Sequence, residues 1–432
     1  MRYMIAAACV VLASACTTEA PNSQTAVKVE IVRTEDGFQL LRGGQPYLIK
    51  GAGLEYGDIA SLAEHGGNSI RNWTTRNEVE TAQEVLDKAL AHGVTVALCL
   101  PMQAERWGFD YDDPDAVAAQ LEAFREEVIR YRDHPALLAW IIGNELNFDY
   151  TNPKVYDAVN DISKMIHELD PNHPTTTTIA GIGENVLRDI EERAPDLDFV
   201  SFQVYGELAI LPEFIRESDY DGPFFVTEWG AIGHWEMPRT DWGAPIEMTS
   251  TEKASVYLEG YRDRIQPLAS QLVGSYAFLW GQKQERTPTW FGMFTEDGEE
   301  TETVDVMHYI WNGTWPDNRS PHVAGLSLDE GSAHDSVTIR AGNRYDAIFD
   351  VTDPDGDPLT YRWEVKPESD TRQVGGDFEE SIASRDGLVE NASSSNVVVT
   401  APTEAGAYRL FAYAYDGQGN AAHANIPFRV EN

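Results

Sequence analysis

The stretch LLAWIIGNELN, Leu137–Asn147, combines a strand-like apolar run with an acid directly after it. Leu138 to Ile142 are apolar and show no helical period, which predicts a buried strand. Gly143 and Asn144 follow, and they place Glu145 at the C-terminal end of that strand. Parallel α/β proteins carry their chemistry at this end of their strands. The stretch therefore predicts a parallel α/β fold with Glu145 as a candidate functional residue.

A second stretch of the same kind, FFVTEWG at Phe224–Gly230, places Glu228 at the end of another apolar strand. Glycoside hydrolysis requires one carboxyl group that is protonated and a second one that is ionised. Apolar neighbours disfavour the charged form of Glu145 by desolvation, so we predict that it donates the proton. Arg71, near the end of an earlier strand, is predicted to reach across the strand ends and hold Glu228 ionised. A glycosidase is the first functional hypothesis from these residues.

Residues 29–315 alternate between strand-like and helical patterns, as in folds with a parallel sheet. Eight strands are predicted, at Tyr47–Lys50, Ser69–Trp73, Thr95–Leu100, Leu138–Ile142, Thr176–Ile179, Phe199–Gln203, Phe224–Thr227 and Ser275–Leu279. The helical stretches between them include Glu78–His92, Asp115–Tyr131, Lys154–Leu169 and Thr251–Gln271. This alternation predicts a closed (β/α)8 TIM barrel rather than an open sheet.

The sequence changes character at residues 316–321, where Pro, Asn, Asp and Ser mark a linker. From 322 to 432, short β-type runs with the spacing of a β-sandwich replace the helical periodicity. The predicted strands are Ser336–Arg340, Arg344–Val351, Thr360–Val365, Asn396–Thr400, Ala407–Tyr415 and Ile426–Val430. This region resembles the immunoglobulin-like and polycystic-kidney-disease-type modules of secreted polysaccharidases. Three roles are alternatives for this region, namely sugar binding, a passive spacer and a lid on the barrel. The acids Asp353, Asp355 and Asp357 are interpreted as a solvated turn rather than a calcium site.

Residues 1–16 have the pattern of an export signal, with Arg2, an apolar run and small residues before Cys16. The sequence LASAC resembles a bacterial lipobox, which implies lipidation of Cys16 and a location at the outer membrane or cell surface. An ordinary secretion signal, with a periplasmic location, is the alternative. Residues 17–28 are polar and are predicted to form a tether. Cys99 is then left without a partner, so a buried free thiol is expected there.

The formal net charge of −39 over 432 residues argues against nucleic acid and anionic lipid as partners. A neutral polysaccharide carries no such electrostatic penalty. No apolar run reaches the roughly 18 residues that a membrane span needs, so membrane contact is expected only through the N-terminal lipid anchor. We expect a monomer. We also expect no cofactor and no metal, because the sequence has no phosphate-binding loop and no cluster with metal-ligand spacing.

Five positions, in the expected order, resemble clan A of the glycoside hydrolases. They are Asn144 with Glu145 after the fourth strand, Glu228 after the seventh, Arg71 near the end of the second, Tyr205 after the sixth and Trp280 closing the eighth. The resemblance implies that Glu145 is the acid/base, Glu228 the nucleophile and Tyr205 its hydrogen-bond donor. It also implies a platform under the sugar at Trp280, retention of anomeric configuration, and carboxyl groups about 5 Å apart. Asn144 is also placed to hydrogen-bond a sugar hydroxyl near the reacting carbon.

A barrel followed by one immunoglobulin-like domain, with no sandwich before it, is similar to glycoside hydrolase family 158. The contexts HPALLAWIIGNE at 134–145 and VTEWG at 226–230 prompt the comparison. The resemblance implies an endo-acting β-1,3-glucanase that cleaves laminarin. The same signatures occur in families that act on mannan, cellulose and β-galactosides, so these substrates are alternatives. Exo action, transglycosylation and a non-catalytic surface glycan-binding protein are alternatives as well.

Aromatic residues in the loops after the strands are candidate sugar-stacking surfaces, since sugar rings present apolar faces. Trp107 and Trp290 are the preferred candidates, because both lie in polar loops beside residues that can form hydrogen bonds. Packing of these rings against the barrel rim is the alternative interpretation.

Overall fold

A computed structural model describes residues 25–373 and 375–432. The predicted signal segment at 1–16, the lipidation site Cys16 and the tether up to residue 24 lie outside the described residues. The predicted fold class is confirmed, because eight parallel strands form a closed barrel and two β-sheets follow it.

An antiparallel sheet of three short strands precedes the barrel and is absent from the prediction. Its strands are β1 (Val29–Thr34), β2 (Gly37–Arg42) and β3 (Gln45–Pro46). Val29 and Leu40 are buried against apolar side chains of the barrel interior. The sheet also forms backbone hydrogen bonds with Asn172 and Ser270, each a few residues before a barrel strand. It therefore closes the N-terminal end of the barrel, opposite the predicted site.

The barrel strands follow in sequence order, and neighbours pair in parallel around the ring. They are β4 (Gly51–Gly53), β5 (Ser69–Arg71), β6 (Thr95–Leu100), β7 (Leu137–Ile142), β8 (Thr175–Ala180), β9 (Phe199–Gln203), β10 (Phe224–Gly230) and β11 (Leu272–Phe278). The last strand, β11, pairs with both β10 and β4 and thereby closes the ring. The strands are largely buried, as expected for a parallel sheet covered by helices.

The first barrel strand differs from the prediction. The sequence predicts a strand at Tyr47–Lys50, but the strand that joins the barrel is β4, which follows it. Leu48 is 72% exposed whereas Ile49 packs with the apolar side chains of the barrel interior, so the run before β4 contributes to the core without pairing as a barrel strand. A Cβ on Gly51 would lie 2.5 Å from the ring of Tyr276, so this strand needs glycine for close packing. A strand of small residues lacks the apolar side chains from which strands are predicted.

The helices that surround the barrel are α1 (Ile59–Glu64), α2 (Ala82–Ala91), α3 (Pro114–Tyr131), α4 (Lys154–Leu169), α5 (Glu184–Arg193), α6 (Leu211–Glu217), α7 (Ser250–Gly260) and α8 (Glu302–Asn312). The predicted helix Thr251–Gln271 is shorter than expected. Regular α7 ends at Gly260, and irregular helical turns continue to Leu268. Pro267 lacks the backbone donor that a regular helix would need there. Within the described part of the chain, no helix is long and apolar enough to cross a membrane.

The C-terminal domain consists of two four-stranded sheets that pack face to face around an apolar core. Its strands are β12 (His322–Leu328), β13 (Thr338–Arg340), β14 (Arg344–Thr352), β15 (Thr360–Pro367), β16 (Val389–Glu390), β17 (Asn396–Thr400), β18 (Gly406–Tyr415) and β19 (Ala421–Glu431). Of these, β12 and β16 are not predicted from the sequence. In the turn after β14, Asp353 accepts backbone hydrogen bonds from Asp355 and Asp357, both at 2.9 Å. This carboxylate therefore organises the turn.

The barrel and the sandwich share a buried polar interface. Arg409 on β18 is 2% exposed and donates to the backbone oxygen of Pro245 at 2.8 Å. It also pairs with the carboxylate of Glu368 at 3.0 and 2.7 Å. Asn425 on β19 donates to Glu247 of the barrel at 2.7 Å. Because breaking such contacts leaves buried polar groups unpaired, we expect the two domains to unfold together.

Candidate active site

Glu228, near the C-terminal end of β10, is surrounded by three hydrogen-bond donors. Its Oε1 accepts from the guanidinium of Arg71 and, at 2.9 Å, from the indole Nε1 of Trp73. Its Oε2 accepts from the hydroxyl of Tyr205 at 2.6 Å. The residue is 5% exposed. These donors compensate the negative charge of Glu228 and hold its carboxylate in one orientation.

Arg71 donates hydrogen bonds to both Glu228 and Asn144. It ends β5, is fully buried, and donates from Nη1 to Glu228 and from Nη2 to Asn144 Oδ1, the latter at 2.8 Å. The same Oδ1 accepts from Gln203 Nε2, also at 2.8 Å. The residue immediately before Glu145 is therefore linked to the carboxylate of Glu228 through a single guanidinium.

Glu145 lies in a sharp turn at the end of β7. Its backbone is in the left-handed region, with φ of 50°, and its N–H donates to Thr178 Oγ1 at 2.9 Å. Burial and the nearby carboxylate of Glu228 raise the pKa of Glu145 from 4.5 to about 8, against the opposing charges of Arg71 and Arg106. At neutral pH the group is therefore protonated, which is the state that a proton donor requires.

Phe278, the last residue of β11, lies beside two of the residues that donate to Glu228. Its ring centre lies 5.6 Å from that of Trp73 and 5.8 Å from that of Tyr205, and both of these residues donate to Glu228. A third ring, that of Phe291, lies 5.6 Å away. The eighth strand thus supplies an aromatic side chain to the site through Phe278.

Trp280, predicted to be the sugar platform, lies away from the site. It is fully buried, and its ring centre lies 5.4 Å from those of Trp311 on α8 and Phe294. The platform assignment is therefore wrong for Trp280, and Phe278 is the aromatic residue next to the site. Residues two apart share a face only along an extended chain, and β11 ends at Phe278.

The two predicted stacking residues differ in exposure. Trp290 is 1% exposed and donates from Nε1 to the backbone oxygen of Ile232 at 2.9 Å, so its prediction as a stacking surface is wrong. Its ring packs within the barrel rim. Trp107 is 60% exposed after β6, with the guanidinium of Arg106 lying 4.4 Å from its ring centre. Trp235, a candidate stacking residue outside the preferred pair, is 51% exposed and lies 5.7 Å from Tyr205 between ring centres.

Gln203 contacts the site but is missing from the predicted set, and Trp73 is predicted only as one of the candidate stacking aromatics, not as a donor to Glu228. Trp73 lies two positions after Arg71, and Gln203 lies two positions before Tyr205. Gln203 ends β9 and Trp73 follows the end of β5, and strand ends meet at one edge of a barrel, so this position is the signal that could have identified them. Among the described residues, no group of three or more His, Cys, Asp or Glu side chains is placed to hold a metal ion.

The arrangement suits acid-assisted substitution at an acetal carbon. Glu228 presents an oriented carboxylate, while Glu145 presents a carboxyl group that keeps its proton at neutral pH. Two carboxyl groups in environments this different can serve as nucleophile and acid at the same pH. Asn144 lies between them in the hydrogen-bond network, where it can contact a bound substrate.

Part of the barrel matches the model of a known family. Residues 58–233 match the family model described as glycosyl hydrolases family 2, TIM barrel domain. The matched segment begins just before α1, ends just after β10, and includes both carboxyl residues of the site. It covers less than half of the chain.

Two curated relatives are similar over part of the chain. Mannan endo-1,4-beta-mannosidase F of Aspergillus clavatus is 26% identical over 186 residues, which is 36% of this chain and 42% of that protein. The protein of the same name from Aspergillus fumigatus is 35% identical over 95 residues, or 18% of this chain and 22% of that protein. The chain therefore spans less than half the length of the curated relatives it matches.

Solved structures of glucuronidases resemble the fold. Bifidobacterium dentium β-glucuronidase, complexed with coumarin-3-O-glucuronide, has a TM-score of 0.53 at 19% identity, covering 67% of this chain and 49% of that one. Bacteroides uniformis β-glucuronidase 2, covalently bound to cyclophellitol-6-carboxylate aziridine, has a TM-score of 0.52 at 15% identity, covering 93% and 48%. At such identities the likeness concerns the fold alone. It supports the TIM-barrel fold, and the family match lies within that barrel.

Proposed function

We propose that this protein is a retaining β-glycoside hydrolase that acts by double displacement. The observation that carries the proposal is the pairing of two unlike carboxyl groups. Glu228 accepts three hydrogen bonds, whereas the pKa of Glu145 is raised to about 8. An enzyme of this class needs one ionised carboxylate as the nucleophile and one protonated carboxyl group as the acid.

In the first step, an oxygen of Glu228 attacks the anomeric carbon of the substrate. The bond from that carbon to the glycosidic oxygen breaks, and Glu145 transfers its proton to the departing oxygen. In the second step, the ionised Glu145 takes a proton from a water molecule as the water oxygen attacks the same carbon. The ester bond between that carbon and Glu228 breaks in the same step, and both carboxyl groups return to their starting states.

Asn144 is suited to hold the sugar during both steps. Its Oδ1 accepts hydrogen bonds from Arg71 and Gln203, which fixes the orientation of the amide. The amide NH2 is then available to donate to a sugar hydroxyl beside the reacting carbon. A preorganised donor at this place stabilises the transition state more than the ground state.

The proposed substrate is a neutral β-linked polysaccharide, since the net charge of −39 disfavours a polyanion. The first candidate is β-1,3-glucan cut within the chain, which rests on the resemblance of the NE and TEWG motifs to family 158. The second candidate is β-1,4-mannan, favoured by the partial similarity to the Aspergillus mannosidases. Lipidation at Cys16, also a proposal, would hold the enzyme at a membrane surface.

The experiment that tests the reaction compares wild-type protein with Glu145→Ala and Glu228→Ala on laminarin, β-mannan, mixed-linkage glucan and cellulose. Each variant should lose nearly all hydrolysis of the polysaccharide that the wild type cleaves. Glu184→Ala, which removes an exposed carboxyl group at the start of α5, is the matched control and should retain activity. Near wild-type turnover in either site variant would refute the assigned roles.

The products distinguish the remaining alternatives. Oligosaccharides of several lengths from laminarin alone would support the endo-β-1,3-glucanase proposal, whereas the same products from mannan would favour the second candidate. Release of a monosaccharide alone would indicate exo action. Products longer than the starting oligosaccharide would indicate transglycosylation. Binding of a polysaccharide with no cleavage in any assay would indicate a glycan-binding protein.

A further inference from the structure

A segment of the sandwich, Gly375–Glu379 between β15 and β16, is anchored to the barrel mouth. Asp377 forms a bidentate ion pair with Arg106, with N···O distances of 3.0 and 2.9 Å. Arg106 lies in the loop after β6, and the two side chains are only 14% and 25% exposed. A shielded bidentate pair fixes its partners in one geometry, unlike most ion pairs in open solvent.

The same segment is held on another side by the loop after β11. Lys283 Nζ donates to the backbone oxygen of Gly376 at 2.9 Å, and the backbone N–H of Arg286 donates to Glu379 at 2.8 Å. Lys283 Nζ also lies 6.0 Å from the ring centre of Phe278, which lies beside two donors to Glu228. The segment is therefore fixed close to the candidate active site.

The positions of these anchors show where the segment lies. In the closed ring, β11 is the eighth strand and β7 the fourth, so the loops that follow them face each other across the mouth. A Cβ on Gly375 would lie 3.2 Å from the ring of Phe148, three residues after Glu145. Gly375 has φ of 62°, a conformation that favours glycine. The segment therefore reaches the side of the mouth that carries Glu145.

Each residue of the anchoring ion pair is followed in the chain by an exposed aromatic residue. Trp107, next to Arg106 in sequence, is 60% exposed, and Phe378, next to Asp377, is 81% exposed. A single exposed aromatic side chain is ordinary, but these two come from different domains and adjoin one fixed contact. Aromatic rings at the edge of a glycosidase cleft offer a surface to the apolar faces of sugar rings.

We infer that Trp107 and Phe378 form a sugar-binding subsite beyond the cleavage point, assembled from both domains by the Arg106–Asp377 pair. The inference rests on the proposed glycosidase function. Glu145 donates its proton to the departing oxygen, so a subsite on its side receives the leaving part of the chain. Its ligand is a pyranose ring of a neutral oligosaccharide, and the sandwich thereby takes part in substrate selection.

The test compares two substrates in the full-length protein. One is the β-fluoride of a disaccharide, whose leaving atom fills no sugar subsite, and the other is a hexasaccharide with the linkage that the wild type cleaves. Phe378→Ala removes the ring, and Asp377→Asn weakens the anchor without changing its shape. The matched control is Ile348→Ala, an apolar side chain on β14 of the same domain that is 49% exposed.

Phe378→Ala and Asp377→Asn should each lower kcat/KM for the hexasaccharide about three- to ten-fold more than for the fluoride, mainly through KM. Ile348→Ala should leave both values unchanged. Equal effects on the two substrates, or no effect, in an active and folded variant would overturn the subsite and leave the proposed function intact. A wild-type protein that cleaves no fluoride and no oligosaccharide would instead refute the proposed function, and with it this subsite.

Discussion

Replacing Glu145 with glutamine should stabilise the protein, and the gain should grow as the pH rises. In the folded protein the pKa of Glu145 is about 8, because burial and Glu228 disfavour its charged form. In the unfolded chain the same group has its ordinary pKa, near 4.5. Between these pH values only the unfolded state has released this proton, so the contribution of Glu145 to the free energy of unfolding falls with rising pH. Glutamine matches the shape of the neutral carboxyl group and does not titrate.

The size of the effect follows from the difference between the two pKa values. One pKa unit corresponds to about 1.4 kcal/mol, so the full difference corresponds to about 5 kcal/mol. Part of the Glu145 side chain reaches solvent, which reduces the effect, and we expect a gain of about 2 to 5 kcal/mol near pH 8. Below the ordinary pKa of glutamate the two proteins should be about equally stable.

Urea unfolding followed by tryptophan fluorescence, repeated at pH 5, 6, 7 and 8, measures the free energy of unfolding of both proteins. The matched control is Glu184→Gln, which changes an exposed carboxyl group outside the site. A difference between wild type and Glu145→Gln that stays constant across this range would refute the raised pKa. A wild type that gains stability over the variant as the pH rises would refute it as well.

Two further substitutions and one labelling experiment test other parts of the barrel. Tyr205→Phe removes the hydroxyl that donates to Glu228, and should lower kcat/KM roughly 10- to 100-fold in a folded protein; full activity would show that this contact is dispensable. Trp280→Ala should reduce the free energy of unfolding by about 3–5 kcal/mol but leave kcat/KM of the folded protein nearly unchanged, whereas a selective loss of activity would restore its platform role. Cys99 is buried, which raises the pKa of its thiol to about 12. It should therefore resist iodoacetamide at pH 8 in the native protein and react in urea, as peptide mapping can show; rapid native labelling would contradict its burial.

The barrel is largely predictable because its strands are apolar runs that alternate with amphipathic helices. Lys154–Leu169 illustrates this, since the predicted and observed helices have the same bounds. The strand β4 is not predictable from the sequence, because it consists of glycine and alanine, which give little apolar signal. The sheet β1–β3 is not predictable either, because its strands are short, partly exposed and separated by turns.

The central residues of the site are predictable because each lies at or just after the C-terminal end of a strand, and these strand ends meet at one edge of a barrel. The pattern does not reveal which aromatic residue of the eighth strand faces the site. That choice between Phe278 and Trp280 depends on the residue at which β11 ends. The contact between Arg106 and Asp377 is also hidden, because it joins residues 271 positions apart in different domains. Such a contact leaves no local pattern in the sequence.

Covalent trapping at Glu228 tests the retaining mechanism most directly. A 2-deoxy-2-fluoro disaccharide with a β-fluoride leaving group should slow the second step more than the first, so that the glycosyl-enzyme accumulates. Peptide mass spectrometry then locates the adduct. We expect one glycosyl group per protein, on the peptide that contains Glu228, and no adduct in Glu228→Ala. An adduct on another residue, or turnover with inverted configuration and no adduct, would contradict the double-displacement mechanism.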